Sequence, residues 1–328
     1  MRGLRSLIAA FAAGGALLAS TYAGTAQGAK NVGTYDITPA GLYSTLQEGG
    51  YDITCVSGAL TINPATLMIT GSSAANKVYD GTTTDTVTAG TLSGLVGTET
   101  LSVSGSGTFV NKNAGNGKTV AVTYSLSDGT GLASNYILAG ENLTANITAK
   151  SLTAAYTGTS KTYDGTTAAT VTGGSADIIG GDTVTFSQSA AFADKNAGTG
   201  KTINISGISL SGTDAANYSL TGTTATATAD VTKAALTVTA NNDLVAYGVV
   251  PYTGGNGVTY TGLLGGDTSA VLGGSLLYGG SSQGAVNRGT YGINPYGLTS
   301  GNYDISFVPG VLTIDSNSGI YVGLVESA

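Results

Sequence analysis

The chain of 328 residues contains no histidine, no tryptophan and one cysteine, Cys55. Without histidine, the usual general base of serine and cysteine nucleophilic enzymes is missing. A zinc site built from Cys and His has no ligand set, and one cysteine closes no intrachain disulfide. Charge is also scarce: Asp, Glu, Lys and Arg make up 9% of residues, where a typical soluble domain has roughly a quarter. With 12 basic against 19 acidic residues and a net charge of −7, no basic patch is available for phosphates, which argues against nucleic acid as a partner. Proline occurs 5 times, and the 52 glycines follow no triplet period, so the chain is not collagen-like. Neither an EF-hand loop nor the glycine-rich calcium nonapeptide is present, leaving a structural calcium site without support. Scattered Asp residues nominate no specific carboxylate pair for glycoside hydrolysis. The chain is therefore expected not to be an enzyme, and no catalytic, cofactor-binding or metal residue is assigned.

What the chain does have is 41% hydrophobic residues interleaved with Thr, Ser and Asn, more apolar content than a disordered linker carries. Its tyrosines recur. Tyr79, Tyr163 and Tyr247 stand 84 residues apart, and Tyr51, Tyr136, Tyr218 and Tyr303 follow at 85, 82 and 85. Such a beat marks one structural unit copied several times.

No segment after residue 20 sustains a 3.6-residue apolar period, so almost no helix is expected. Period-two alternation is common instead, as in Thr119–Leu126, Leu236–Thr239 and Val311–Ile314, and predicts antiparallel sheets with one buried face. Tyr51-Asp-Ile-Thr-Cys-Val56 matches Tyr303-Asp-Ile-Ser-Phe-Val308, which gives Cys55 the place of a small buried hydrophobe. The expected architecture is a tandem string of small antiparallel β-sandwiches of Ig-like type in an elongated rod, with β-grasp-like modules as the alternative.

The repeat divides the chain into a signal-like apolar segment or module remnant (1–21), a partial module (22–64), two like modules (65–149 and 150–233), a fourth module (234–315) and a tail (316–328). Junctions such as Asn63-Pro64-Ala65 and Lys233-Ala234 contain no flexible tether, and favour end-to-end stacking. The N-terminus supports two readings. Arg2, Arg5 and the following apolar run resemble a secretory signal and are too short for a stable membrane span. Yet residues 22–42 copy 278–298 at a constant offset of 256, which favours a start inside a longer repeat protein. Both readings fit an exported product, and no transmembrane anchor is seen.

The sharpest motif is Lys77-Val-Tyr79-Asp80-Gly81-Thr-Thr, repeated as Lys161-Thr-Tyr163-Asp164-Gly165-Thr-Thr. Asp-Gly is a tight-turn pair, and each tyrosine is expected to bury its ring and keep one hydrogen bond for its hydroxyl. Tyr247 is followed by Gly248 without the Asp, which marks a related but distinct module. Lys112-Asn-Ala-Gly115 and Lys195-Asn-Ala-Gly198 precede Gly-Lys pairs, but the spacing does not fit a phosphate loop and a strand follows, so they read as hairpin loops. Eight of nine lysines fall in repeat pairs; a Lys–Asn isopeptide cross-link would need one of them buried, at a cost.

These motifs carry a resemblance. Residues 67–149 and 152–232 resemble YDG domains. Residues 236–315, with GLLGGDT, NRGTYGI and GNYDISFVPGVLTI, resemble the glycine-rich, mostly-β MBG module, and 22–62 is similar to the second half of another. The resemblance implies a segment of an exported bacterial adhesin similar to filamentous haemagglutinin, extracellular or associated with the outer-membrane surface. It implies a stalk role in adhesion or biofilm, or direct binding to host or matrix glycans, proteins or other cells. No binding residue carries over from it.

Overall fold

The computed structural model describes residues 21–40 and 56–316; Tyr51 and Cys55 lie outside them. The described residues are strands and connections, with three single-turn 3-10 segments as the only helical structure among them. The chain divides into two compact units, 1–149 and 150–328.

In the first unit a three-stranded sheet of Thr21–Ala23, Gly33–Ala40 and Gly58–Ile62 precedes a larger module. The centre of that module is a long hairpin, Leu101–Phe109 against Gly115–Asp128, flanked by Glu141–Thr148. Sequence alternation explains the hairpin: Val120 and Val122 are buried, and Thr119, Ala121 and Thr123 face out. The hairpin loop is the Lys112-Asn-Ala stretch. After it the register slips between Gly115 and Lys118, a bulge made possible by Gly117 at φ +59°.

The sheets are mixed. Alongside the antiparallel hairpins, Ala65–Thr70 pairs in parallel with Tyr136–Leu138, and Lys77–Val78 with Glu141–Thr148. The opening strands thus sit beside strands from the module's far end, so long-range pairing closes each module on itself.

The second unit repeats the plan twice. Lys150–Leu152 pairs in parallel with Tyr218–Leu220, and Lys161–Thr162 with Thr224–Thr232, around the hairpin Thr185–Phe192/Gly198–Ser211. Then Ala234–Ala240 pairs in parallel with Tyr303–Val308, and Asp243–Ala246 with Gly310–Asp315. One apolar cluster runs through both modules of this unit, from Tyr163, Phe192, Ile203 and Ile205 to Leu236, Val238 and Tyr303. A second cluster, around Ile293, Leu312 and Ile314, fills the far end.

Candidate functional site

Each tyrosine of the first series directly follows a short parallel strand and donates its backbone N–H to the neighbouring strand's end. The bonds are Tyr79 to Thr148 O (2.8 Å), Tyr163 to Thr232 O (2.8 Å) and Tyr247 to Asp315 O (2.7 Å). The side chains divide: Tyr79 and Tyr163 are buried, whereas Tyr247 is 57% exposed. The expected buried ring therefore does not extend to the third copy, which lacks the turn that follows the other two. In the second series Tyr136, Tyr218 and Tyr303 are all buried.

The Asp-Gly pairs form tight turns locked by lysine. Asp80 Oδ1 accepts from Thr82 N–H and Lys77 Nζ, and Asp164 Oδ1 from Thr166 N–H and Lys161 Nζ. Gly81 and Gly165 both take φ +78°, a conformation that costs other residues. The Lys161 ammonium, with help from the Thr166 N–H, holds the Asp164 carboxyl at a pKa of about 2. At Asp80 burial pushes upward, but the bonds from Lys77 and Thr82 outweigh it and the pKa falls. Both lysines lie over phenylalanine rings, Lys77 over Phe109 at 5.6 Å and Lys161 over Phe192 at 5.5 Å. These groups fix the turn.

A further polar constellation lies inside the second unit, where module 150–233 meets module 234–315. The Asp267 side chain, 5% exposed, comes from the later module. Its Oδ2 accepts from the Tyr163 hydroxyl at 2.7 Å and the Tyr303 hydroxyl at 2.9 Å, and its Oδ1 meets Lys195 Nζ at 3.1 Å. The two tyrosine rings meet edge to face, 5.3 Å apart. The Tyr163 hydroxyl lowers the Asp267 pKa against the opposing effect of burial, and Lys195 and Tyr303 lower it further. Burial, and then the adjacent carboxylate, raise Tyr163; burial does the same at Tyr303.

Two further contacts brace this junction. Asn302 Oδ1 accepts from Ala197 N–H at 2.9 Å while its Nδ2 donates to Asn196 Oδ1 at 3.1 Å. The Asp164-Gly165 turn lies so close to Gly265 that a Cβ on Gly165 would stand 2.6 Å from the Gly265 Cα. The Asn clamp recurs in the first unit, where Asn135 Oδ1 accepts from Val32 N–H at 2.9 Å and its Nδ2 donates to Asn31 Oδ1 at 3.0 Å. The tyrosine–acid pair recurs as well: Tyr136 donates to Glu99 at 2.5 Å and Tyr218 to Asp182 at 2.7 Å.

The repeat singles out the tyrosines and not their partners. For Asp267 one signal was available, since an acid stands 37, 36 and 36 residues before Tyr136, Tyr218 and Tyr303; Lys195 and Asn196 lie in the repeated Lys-Asn-Ala-Gly loop, whose spacing pointed only to a hairpin. Chemically, the junction is a set of satisfied hydrogen bonds between scaffold elements. A cavity of about 320 Å³ near Tyr247 is lined by Val245, Val250, Pro251, Tyr252, Ala285 and Ile314 among others. Its ionisable wall residue is Tyr252, whose hydroxyl is pushed to about 12 by burial and by Asp243. Among the described residues no three His, Cys, Asp or Glu side chains converge as metal ligands. No described helix is long and apolar enough to cross a membrane.

The family model of the YDG domain matches residues 63–145 and 148–229, together half of the chain, and that of the MBG domain (YGX type) matches 236–313. No curated protein matches the chain. Solved structures similar to it include Drosophila N-cadherin EC1-4, at 6% identity over 86% of this chain and 83% of that one, with a TM-score of 0.23. The protocadherin GammaB4 extracellular domain aligns at 9% identity over 91% and 59%, TM-score 0.23. Domains 4-9 of the surface layer protein SbsC align at 13% over 86% and 54%, TM-score 0.19. At such scores these alignments carry no argument.

Proposed function

The chain belongs to the YDG-domain family, and from that premise we propose that it is a structural repeat segment, a stalk, of an exported bacterial surface adhesin of the filamentous haemagglutinin-like type. The observation that carries this reading is the junction at Asp267. One module places a carboxylate under the tyrosine and lysine of the module before it, and the same apolar cluster continues through both. Such a joint transmits load: bending the modules apart must break charge-assisted hydrogen bonds and expose a shared core. Its polar groups bond to one another rather than point into a pocket, which suits a spacer better than a catalyst or receptor.

Pulling the full chain between its ends by single-molecule force spectroscopy tests the mechanical part. The stalk reading expects discrete unfolding peaks, with the peak of residues 150–316 lowered by Asp267→Ala; featureless extension contradicts it. Protease shaving of intact producing cells tests export, and expects release of peptides from 65–233 without lysis. Direct recognition of glycans by the modules is the competing reading. Retention on a glycan or matrix array that survives competition with unrelated protein would favour that reading over the stalk.

A further inference from the structure

Asparagine followed by glycine closes a ring on itself readily, because a residue without Cβ lets the next backbone nitrogen reach the side-chain amide carbon. The chain has two such pairs, Asn116-Gly117 and Asn256-Gly257. Three Asp-Gly pairs, at 80, 128 and 164, are the acid counterparts, and the carboxylate of each is tied. Asp80 and Asp164 accept from a lysine and a threonine N–H, and Asp128 accepts from the Ala133 N–H at 2.7 Å.

The two asparagines are held differently. Asn256 sits in a closed set of bonds: its Nδ2 donates to Asn242 O at 2.8 Å, its carbonyl accepts from Asn241 Nδ2 at 2.9 Å, and the Gly257 carbonyl accepts from the Asn241 N–H at 3.0 Å. Asn116 is exposed, and its side chain has no hydrogen-bond partner among the described residues. It lies on the bulge of the central hairpin. There Gly115 pairs with Ile147 and Lys118 with Ala145, while Asn116 and Gly117 pair with no residue of Glu141–Thr148. Gly117 has open space around it. Restraint comes from the bond that its N–H donates to Asn146 Oδ1 at 2.7 Å.

The next module has the same loop without the reactive residue. Asn113-Ala-Gly-Asn-Gly-Lys118 becomes Asn196-Ala-Gly-Thr-Gly-Lys201. Gly200 takes φ +58°, and its N–H donates to Asp230 Oδ1 at 2.7 Å. Backbone and bond are kept, and the side chain that would close the ring is Thr199 instead.

We propose that Asn116 is a site of spontaneous modification by water, through a cyclic imide with Gly117. The Gly117 nitrogen gives up its proton to hydroxide and attacks Asn116 Cγ; a C–N bond forms, and the Cγ–Nδ2 bond breaks with release of ammonia. Water then opens the imide at either carbonyl. One opening leaves aspartate at 116, the other an isoaspartyl link in which the backbone runs through the side chain. Both add one negative charge to the loop, and the second also lengthens the backbone by one carbon. Ring closure consumes the Gly117 proton that Asn146 holds, so Asn146 is the brake: the reaction starts from the state in which that bond is open. The inference is independent of the stalk reading.

The test ages the full chain in mildly alkaline buffer made with heavy-oxygen water, returns it to ordinary water and maps it with trypsin. The peptide of residues 113–118 should gain the mass of deamidation with heavy oxygen, and fragmentation should place the change at Asn116 in both aspartyl and isoaspartyl forms. The peptide of residues 196–201, which keeps the Asn-Ala step and lacks Asn-Gly, is the internal control and should stay unmodified. Asn256 should react at least about threefold more slowly than Asn116, as expected for its extra bonds. Asn146→Ala should speed the reaction at Asn116 by about threefold to tenfold, the effect of one hydrogen bond, and leave the rate at Asn256 unchanged. Asn146→Asp, the arrangement of the second module, should slow it. If Asn146→Ala does not fold, Asn146→Asp and the ratio of the two asparagines in the unaltered chain decide the matter. Asn256 reacting ahead of Asn116, a change confined to Asn113, or no change at Asn116 once a free peptide of residues 113–118 has fully reacted would overturn the proposal. An unchanged rate in folded Asn146→Ala would overturn the braking role of Asn146.

Discussion

Replacing Asp267 by alanine removes the acceptor shared by two buried tyrosines and leaves both hydroxyls without it. The lost bonds are the 2.7 Å contact from Tyr163 and the 2.9 Å contact from Tyr303. A hydrogen bond to a charged group contributes about 1.5–3 kcal/mol net, and the lower end applies at the edge of a core, giving about 3 kcal/mol for the pair. Lys195, with 42% of its side chain exposed, regains water and adds little. For a unit of this size, about 3 kcal/mol corresponds to a fall in Tm of about 6–12 °C. Scanning calorimetry of the full chain at neutral pH measures this, with Asp267→Asn as the milder variant that keeps one acceptor. The effect has a defined pH window. The folded pKa of Asp267 lies below its ordinary 3.8, so its stabilisation is complete above pH 3.8 and is lost as pH falls through the folded value. The gap between the unaltered chain and Asp267→Ala should therefore close in acid. A gap under about 0.5 kcal/mol at neutral pH, or one unchanged by acid, would refute the reasoning.

Other substitutions separate the contributions. Gly165→Ala meets both a left-handed backbone and a Cβ contact at 2.6 Å, while Gly200, at φ +58°, has open space around it; Gly165→Ala should cost more than the roughly 1 kcal/mol of Gly200→Ala in chemical denaturation. Asp85 is buried, and its Oδ2 has no hydrogen-bond partner among the described residues, while the equivalent position of the next module is Ala169. Asp85→Ala should therefore stabilise the first unit by about 1 kcal/mol in urea unfolding. A carboxyl NMR titration should give Asp164 a midpoint of about 2, and Lys161→Gln should return it toward 3.8; what stability this carboxylate adds is present above pH 3.8 and fades toward pH 2.

How far the sequence revealed this arrangement depended on the range of each signal. The tyrosine beat and the alternation in Thr119–Leu126 located the modules and their central hairpins, because both are local and periodic. Two of the parallel pairs were hidden because Lys77–Val78 and Lys161–Thr162 are two residues long and two residues have no measurable period. Asp267 was hidden for a different reason: Tyr163 lies 104 residues away, and GLLGGDT by itself reads as one more turn. Tyr247 shows the limit of repetition as a guide. It keeps the backbone bond of its relatives and leaves its ring exposed.

Residues 150–233 and 234–315 form one body joined at Asp267 over a shared apolar cluster. Residual dipolar couplings measured on the full chain in a weakly aligning medium test it most directly. The account predicts that amides of both modules fit a single alignment tensor, and that in Asp267→Ala the two modules require separate tensors of unequal magnitude. Two independent tensors in the unaltered chain, with each module intact, would contradict it.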